Sequence, residues 1–331
     1  MNILITTPQG ETFDRHFPCN MLNRLSALGE LRINPNSRQY TRDELKDLLN
    51  DIDIILTHWG MTQLDAELLD CAPKLKLLAH CAGTVAHIAS EECYRRGIPV
   101  LSANPIMAKF VAEWVLGAMI AGLRQFVWYD NGMREGKWLR SPATAGSLFG
   151  SRVGLIGLGT VGRRLLDLLR PFGCEVRVYD PYIPESALDE YEFAHRSSFE
   201  ESMNCPVVSI HASQTPETYH MINADTLKLM PDGGLLINSS RGSLVDTEAA
   251  ICELESGRIS MVFDVYEHEG RAQDSRLLDC RSNTILLPHT AGNPAGSSMT
   301  SGIIDDIERF LHNEPMKLVV SYEQYQHMTQ E

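Results

Sequence analysis

Arg241, Glu269 and His289 each lie just past an apolar, strand-like run, in "LLINSSRGSLVD", "MVFDVYEHEG" and "TILLPHTAG". An arginine presents a planar fork of donors that matches a carboxylate, and a histidine exchanges protons near neutral pH. A carboxylate beside that histidine stabilises its imidazolium and keeps a proton donor available to higher pH. The three together suit a reaction in which an acid is held by its carboxylate while a proton moves to or from the adjacent oxygen. The stretch that carries the glutamate is crowded, with Glu267, His268 and Glu269 consecutive and Asp264 just before them. Alone it fits a metal site, an acid–base pair or a solvated loop. Glu267 and Glu269 could also face the same way along an extended chain.

A second group of residues suggests what else would sit there. "VGLIGLGTVGRRLLDLLR" sets Gly157, Gly159 and Gly162 as Gly-x-Gly-x-x-Gly between an apolar strand and an amphipathic helix. The first glycine permits the tight turn, the second lets backbone N–H groups approach a pyrophosphate at the helix N-terminus, and the third allows close helix–strand packing. Asp180 ends the next strand-like run, "CEVRVYD", 18 residues after Gly162. A carboxylate there accepts hydrogen bonds from ribose hydroxyls and repels a 2′-phosphate, which favours NAD over NADP. S-adenosylmethionine enzymes also use glycine-rich turns and are the alternative at this point. With a nicotinamide beside Arg241, the carboxylate and His289, a hydride would pass between cofactor and C2 of the acid while a proton passes through His289.

Such residues converge only if an open parallel sheet delivers them, because ligands of that architecture gather beyond the carboxyl ends of its strands. The chain has the required rhythm. "NILIT", "LRIN", "DIIL", "LKLLAHC" and "IPVLS" alternate with helical patterns such as "TRDELKDLLN" in the first hundred residues. After residue 150 the alternation restarts with "RVGLIG", "EVRVYD", "VVSIH", "LLINS", "MVFDV" and "TILLP". The pattern predicts two doubly wound α/β units with parallel sheets. Between them, 105–126 is apolar at helical spacing and is expected to be one packed helix joining the units. The small-residue stretch 141–150 is expected to be a surface connection. The last helical pattern, 297–313, is expected to return to the first unit. The expected division is 1–103 and 293–331 for the first unit and 104–292 for the second.

Composition narrows the partners. The 331 residues are 44% hydrophobic and 22% charged, enough for two cores. The net charge is −14 and Lys and Arg form no long run, which argues against nucleic acid and anionic membranes. Eight single cysteines without a Cys-x-x-Cys pair suggest neither zinc nor a disulfide framework, and reduced thiols point to the cytoplasm. "MNILITTPQG" lacks the basic region of a signal peptide, and the uncharged run 282–304 contains prolines unsuited to a bilayer span. No metal is expected.

"GLIGLGTVGR", "NSSRGSLVD", "DVYEHEG" and "PHTAG", in this order and spacing, resemble the NAD-dependent D-2-hydroxyacid dehydrogenase family over nearly the whole chain. The resemblance implies a Rossmann-type NAD-binding domain inserted into a discontinuous flavodoxin-like substrate domain, with an interdomain cleft. It implies Arg241 as substrate-binding and catalytic, Glu269 as partner of His289, and His289 as proton donor and acceptor. It further implies cofactor contacts at Thr160, Val161, Asp180, Ala212, Ser239, Ser240, Arg241, Asp264 and His289 to Gly292, besides the glycine turn. Substrate carboxylate contacts would come from "CAGT", that is Ala82, Gly83 and Thr84. A homodimer is implied too, through the apolar helix and the segment with Trp138.

The chain departs from the family pattern at three places. Gly270 stands where proline usually follows the glutamate, Ser213 where proline is common, and "SANPIMAKFVAE" replaces the usual Asn-x-Pro-Gly with its following Asn. The last alters the first-unit side of the substrate pocket, so specificity does not transfer. A glutamate rather than glutamine at 269 speaks against formate chemistry, and phosphite oxidation is a further variant of the same fold. The absence of Arg or Lys around "LTHWG" speaks against a phosphoglycerate substrate. An NAD(H)-sensing binding or corepressor protein is the rival from another class. His58 and Trp59 either line the cleft or are a packed Trp with an exposed His. His80, His87, His195 and His211 are read as structural, and His268 as solvent-facing.

Overall fold

The computed structural model describes residues 1–139, 146–270 and 275–329, so the first half of the connection expected at 141–150 lies outside the described residues. The chain divides into Met1–Met107 with Asn293–Glu331, here unit 1, and Ala108–Gly292, here unit 2. The first division runs through a helix, Asn104–Leu123.

Unit 1 is built on β1 (Asn2–Ile5), β2 (Glu30–Ile33), β3 (Ile54–Thr57), β4 (Leu77–His80) and β5 (Val100–Ser102). They form one parallel sheet in the order β2-β1-β3-β4-β5. That is the flavodoxin-like winding. Every residue of β3 and β4 is buried, as a sheet covered on both faces requires, which is why these strands read as unbroken apolar runs. Helix Gly296–Leu311 packs on helices Glu11–His16 and Cys19–Leu28 and on β4. The tail then returns along β5, where Val320 N–H donates to Val100 O and Ser102 N–H to Leu318 O.

Unit 2 holds β6 (Arg152–Ile156), β7 (Glu175–Tyr179), β8 (Ala194–Arg196), β9 (Val207–Ile210), β10 (Leu235–Asn238), β11 (Ser260–Phe263) and β12 (Thr284–Leu286). Their order is β12-β11-β10-β9-β6-β7-β8, all parallel. The winding reverses between β6 and β9, the place where a doubly wound sheet opens a ligand crevice. β8 was not expected from sequence: its "AHR" has one buried residue at the sheet edge and so carries no apolar signal. The single helix expected over 105–126 ends at Leu123. Gln125 turns left-handed at φ 52, and a second helix, Phe126–Arg134, follows. Asn104–Leu123 is long and apolar enough to cross a membrane by composition alone, with 39% of its most apolar window buried. A helix that packs on other protein has the same composition.

His58 and Trp59 invert the packed-Trp reading. His58 is 1% exposed and Trp59 is 55% exposed, with the His58 ring between His16, at 4.1 Å, and Trp59, at 4.3 Å. Burial, with His16 and His80 nearby, pushes the His58 imidazole from 6.5 down to about 2. The unfolded chain therefore binds a proton here below about pH 6.5 and the folded chain does not, so stability falls as pH drops through that window. His58→Gln is expected to flatten this limb by about 2 kcal/mol between pH 7 and 5. Urea unfolding at the two pH values measures it, and an unchanged difference between them would rule the account out.

Candidate active site

Because every strand of unit 2 is parallel, their carboxyl ends lie on one edge, and the loops leaving that edge carry almost all the residues singled out from sequence. The glycine turn leaves β6. Gly157 has φ +96, and a Cβ there would come within 2.6 Å of Ala212 N and 2.7 Å of His211 C. Only glycine lets this turn close on the loop after β9. Nothing lies within 4 Å of a Cβ on Gly159, so the space above the turn is open. Helix Thr160–Leu169 starts directly behind it and buries Gly162, Leu165, Leu166 and Leu169 against the sheet. Its first turn, with Thr160 and Val161, leaves N–H groups directed at that space. The open space and the N–H groups facing it suit the negative charge of a pyrophosphate.

Asp180 follows β7. Its Oδ2 accepts from Leu158 N–H at 2.8 Å and its Oδ1 from Tyr182 N–H at 2.9 Å, so the carboxylate braces the glycine turn. Each oxygen keeps lone-pair capacity for a ribose hydroxyl. After β9, Ala212 O accepts from Ser240 Oγ at 2.6 Å, which joins that loop to the one after β10. Ser239, Ser240 and Arg241 leave β10, where Asn238 Nδ2 donates to Arg241 O at 2.9 Å and Arg241 Nη1 to Ser240 O at 2.8 Å.

Asp264 and Glu269 leave β11, and His289 leaves β12. His289 Nδ1 and Glu269 Oε2 are 2.7 Å apart, with side chains 52% and 42% exposed. The contact orients the ring, and its Nε2 is the nitrogen available to a substrate. His289 is left-handed at φ 53, a conformation that costs a side chain energy and is held here by neighbours. Asp264, fully buried, is the main one: it accepts from Thr290 N–H at 2.8 Å and Ala291 N–H at 2.9 Å, and its carbonyl accepts from His289 N–H at 2.7 Å. Asp264 thus fixes the backbone that presents His289. Gly292 closes this loop and is the last residue of unit 2.

The ambiguity between the two glutamates is resolved by geometry. Glu267 turns to His220, with Oε1 2.6 Å from Nε2, and to Thr247 Oγ1. Sequence reasoning missed His220 and Thr247, because partners 47 and 20 residues away leave no mark in local spacing. Gly270 also acquires a reason. Its φ is +72, which proline, locked near −65°, cannot adopt. His268 is exposed. Among the described residues no group of three His, Cys, Asp or Glu side chains is placed to hold a metal.

The remaining predicted residues, Ala82, Gly83 and Thr84, follow β4 in unit 1. Ser102 Oγ donates to Ala82 O at 3.3 Å and to Gly83 O, and Thr84 Oγ1 donates to Thr329 O at 3.3 Å. A Cβ on Gly83 would lie 2.8 Å from the Met107 methyl. Met107 therefore closes on this loop from the segment that departs from the family pattern.

Residues 116–291, more than half of the chain, match the model of the D-isomer specific 2-hydroxyacid dehydrogenase, NAD binding domain. The chain belongs to the D-isomer specific 2-hydroxyacid dehydrogenases. Unit 2 is this family's NAD binding domain, and the glycine cradle and Asp180 are the residues that fit the cofactor. The chain is 30% identical to the glyoxylate reductase of Thermococcus litoralis over 92% of its own length and 95% of the relative's. It is 27% identical, over 97% of its length, to the D-3-phosphoglycerate dehydrogenase of Methanocaldococcus jannaschii, of which it spans only 59%. The solved D-lactate dehydrogenase of Aquifex aeolicus, complexed with NAD and lactic acid, superposes with a TM-score of 0.72 at 25% identity, covering 95% of this chain and 96% of that one.

The separate pairing of the two glutamates makes a prediction for this family member. Among the described residues, the carboxylate against the His289 ring is that of Glu269, while Glu267 faces His220 and Thr247. Glu269→Gln is expected to lower kcat/KM for a 2-oxoacid about three- to tenfold, through loss of the carboxylate that orients the ring. Glu267→Gln is expected to keep most of the parent rate. Steady-state rates decide, and an exchange of the two behaviours would contradict the pairing.

Proposed function

We propose that this protein is an NAD-dependent oxidoreductase that reduces a small 2-oxoacid to the D-2-hydroxyacid, or runs the reverse oxidation. The observation that carries this is the 2.7 Å contact of His289 Nδ1 with Glu269, on the strand-end edge that also holds Arg241 and the glycine cradle. Gly157, Gly159 and Gly162 with Thr160, Val161 and Asp180 would hold the dinucleotide. Ala212, Ser239, Ser240, Asp264 and Gly292 would complete its wall. When bound, the nicotinamide supplies the hydride that reaches C2 of the oxoacid.

The chain's own residues do the rest. Arg241 binds the substrate carboxylate through its guanidinium and fixes which face of the oxo group is presented. His289 donates the proton from Nε2 to the oxo oxygen as C2 is reduced, and in the oxidation takes it back from the hydroxyl. Glu269 receives Nδ1–H throughout, so the ring keeps one tautomer and the imidazolium has a counter-charge. Loss of the Nε2 proton leaves a neutral ring still anchored through Nδ1.

Two further properties belong to this proposal. The eight cysteines are free thiols, as suits a cytoplasmic protein. Phe126, Met133, Trp138 and Phe149, which follow the apolar helix in the chain, are each more than half exposed, which suits a homodimer; light scattering would report it.

The decisive experiment follows NADH consumption at 340 nm with glyoxylate, hydroxypyruvate, pyruvate and bulkier 2-oxoacids, with Arg241→Ala as control. At least one substrate is expected to turn over, and the control to lose about a hundredfold or more in kcat/KM. Tight NADH binding with no Arg241-dependent turnover would replace this reading with that of an NAD(H) sensor.

A further inference from the structure

The contact between Glu267 and His220 is a second acid–histidine pair, and it lies outside the proposed proton path. Its surroundings show what it holds. Glu267 leaves β11 two residues before Glu269. His220 belongs to the loop after β9, downstream of Ala212. Thr247 opens the helix that follows the Arg241 loop, Thr247–Ser256. One carboxylate therefore takes a hydrogen bond from each of two neighbouring loops while its own backbone belongs to a third.

The backbones under it are interlocked. His220 N–H donates to Ser243 O at 2.9 Å, Ile222 N–H to Leu244 O at 3.0 Å, and Asp246 N–H to Ile222 O at 2.8 Å. A Cβ on Gly242, the residue after Arg241, would collide with the Tyr266 carbonyl and Glu267 N. The Arg241 loop thus rests on the backbone that leads to Glu269. His220 is left-handed at φ 49, with the Tyr219 ring stacked on it at 4.0 Å. A side chain in that conformation is kept there by its contacts. Burial disfavours the charged form of Glu267, but the hydrogen bonds from Thr247 and His220 outweigh it and hold the carboxyl below its ordinary value. The group is a carboxylate at neutral pH, with charge-assisted bonds of the stronger kind.

We infer that Glu267, His220 and Thr247 form a clip that sets the relative positions of the Arg241 loop and the Glu269 segment, making Glu267 and His220 positioning residues for the reaction. This rests on the function proposed above. The contacts of the clip run to His220 and Thr247 rather than to the glycine turn or Asp180, so its loss is expected to act on turnover far more than on dinucleotide binding. Misplacement of a reacting group by about 1 Å costs on the order of a hundredfold, and a loosened clip costs part of that.

The test compares Glu267→Ala, His220→Ala, the double variant and Glu267→Gln in the full chain. Each alanine variant is expected to lose about tenfold or more in kcat, with NADH affinity, read by fluorescence titration, within about twofold of the parent. The double variant should be no worse than the poorer single one, since both remove the same contact. Glu267→Gln should recover most of the rate, because an amide still accepts from Thr247 and donates to a neutral imidazole. Unchanged kcat in both alanine variants, losses that multiply, or a Gln variant as poor as Ala would each overturn the clip.

Hydrogen exchange gives a readout that needs no substrate. Amides of 220–222 and 243–247 should exchange faster together in Glu267→Ala, while those of 157–162 do not. If the parent reduces no oxoacid the proposed function fails, yet joint loosening still upholds the clip as a structural lock. Loosening confined to one loop overturns it.

Discussion

Replacing His289 by asparagine is expected to lower kcat for oxoacid reduction by about 10² to 10⁴, the range for loss of a general acid. Asparagine is the informative replacement for two reasons. It tolerates the left-handed backbone that His289 adopts at φ 53 better than alanine does. Its side-chain amide can also still donate toward Glu269, in place of the 2.7 Å contact made by Nδ1. What it cannot do is give up a proton at the position of Nε2. The loop stays in place through Asp264, whose carboxylate holds Thr290 and Ala291, so NADH affinity should change by less than about fivefold. Steady-state rates at 340 nm with an NADH titration separate the two effects. A variant within tenfold of the parent would show that another group delivers the proton.

The second large effect is expected at Arg241. Lysine keeps the charge but not the planar fork, and at a site that binds a carboxylate by two parallel hydrogen bonds the exchange is not conservative. Arg241→Lys is expected to lower kcat/KM for the oxoacid by about 10² to 10³, mostly through KM. The guanidinium is oriented in part by its own chain, with Nη1 on Ser240 O at 2.8 Å, a geometry an ammonium on a flexible stem does not reproduce. NADH affinity should be nearly unaffected. A proportionate loss in NADH binding would show that Arg241 serves the cofactor rather than the acid.

Much of this was legible in the chain because parallel sheets covered on both faces demand continuous apolar strands, and these stand out in a linear sequence. The apolar runs named from sequence lie on strands, and the glycine spacing sits between β6 and its helix as the pattern requires. β8 escaped because an edge strand needs little apolar surface. The break at Gln125 escaped because the apolar pattern continues across it, while a left-handed residue is a backbone choice that composition does not announce. Met107 beside Gly83 was invisible for a related reason: its approach depends on how helix Asn104–Leu123 begins relative to β4.

By itself the sequence determined the residue types at each strand end, and with them the chemistry proposed for the site: a phosphate cradle, an acid to meet ribose, an arginine, a histidine and nearby carboxylates. A parallel sheet then obliges those ends to share an edge, so their convergence needed no coordinates. The partnership of each carboxylate was decided only by tertiary structure. Glu267 and Glu269 are two residues apart and chemically alike. The left-handed turn at Gly270, the loop held by Asp264 and the distant His220 send one to His289 and the other away from it. Pairing of this kind depends on distances between loops that are remote in sequence, and local spacing does not encode those distances.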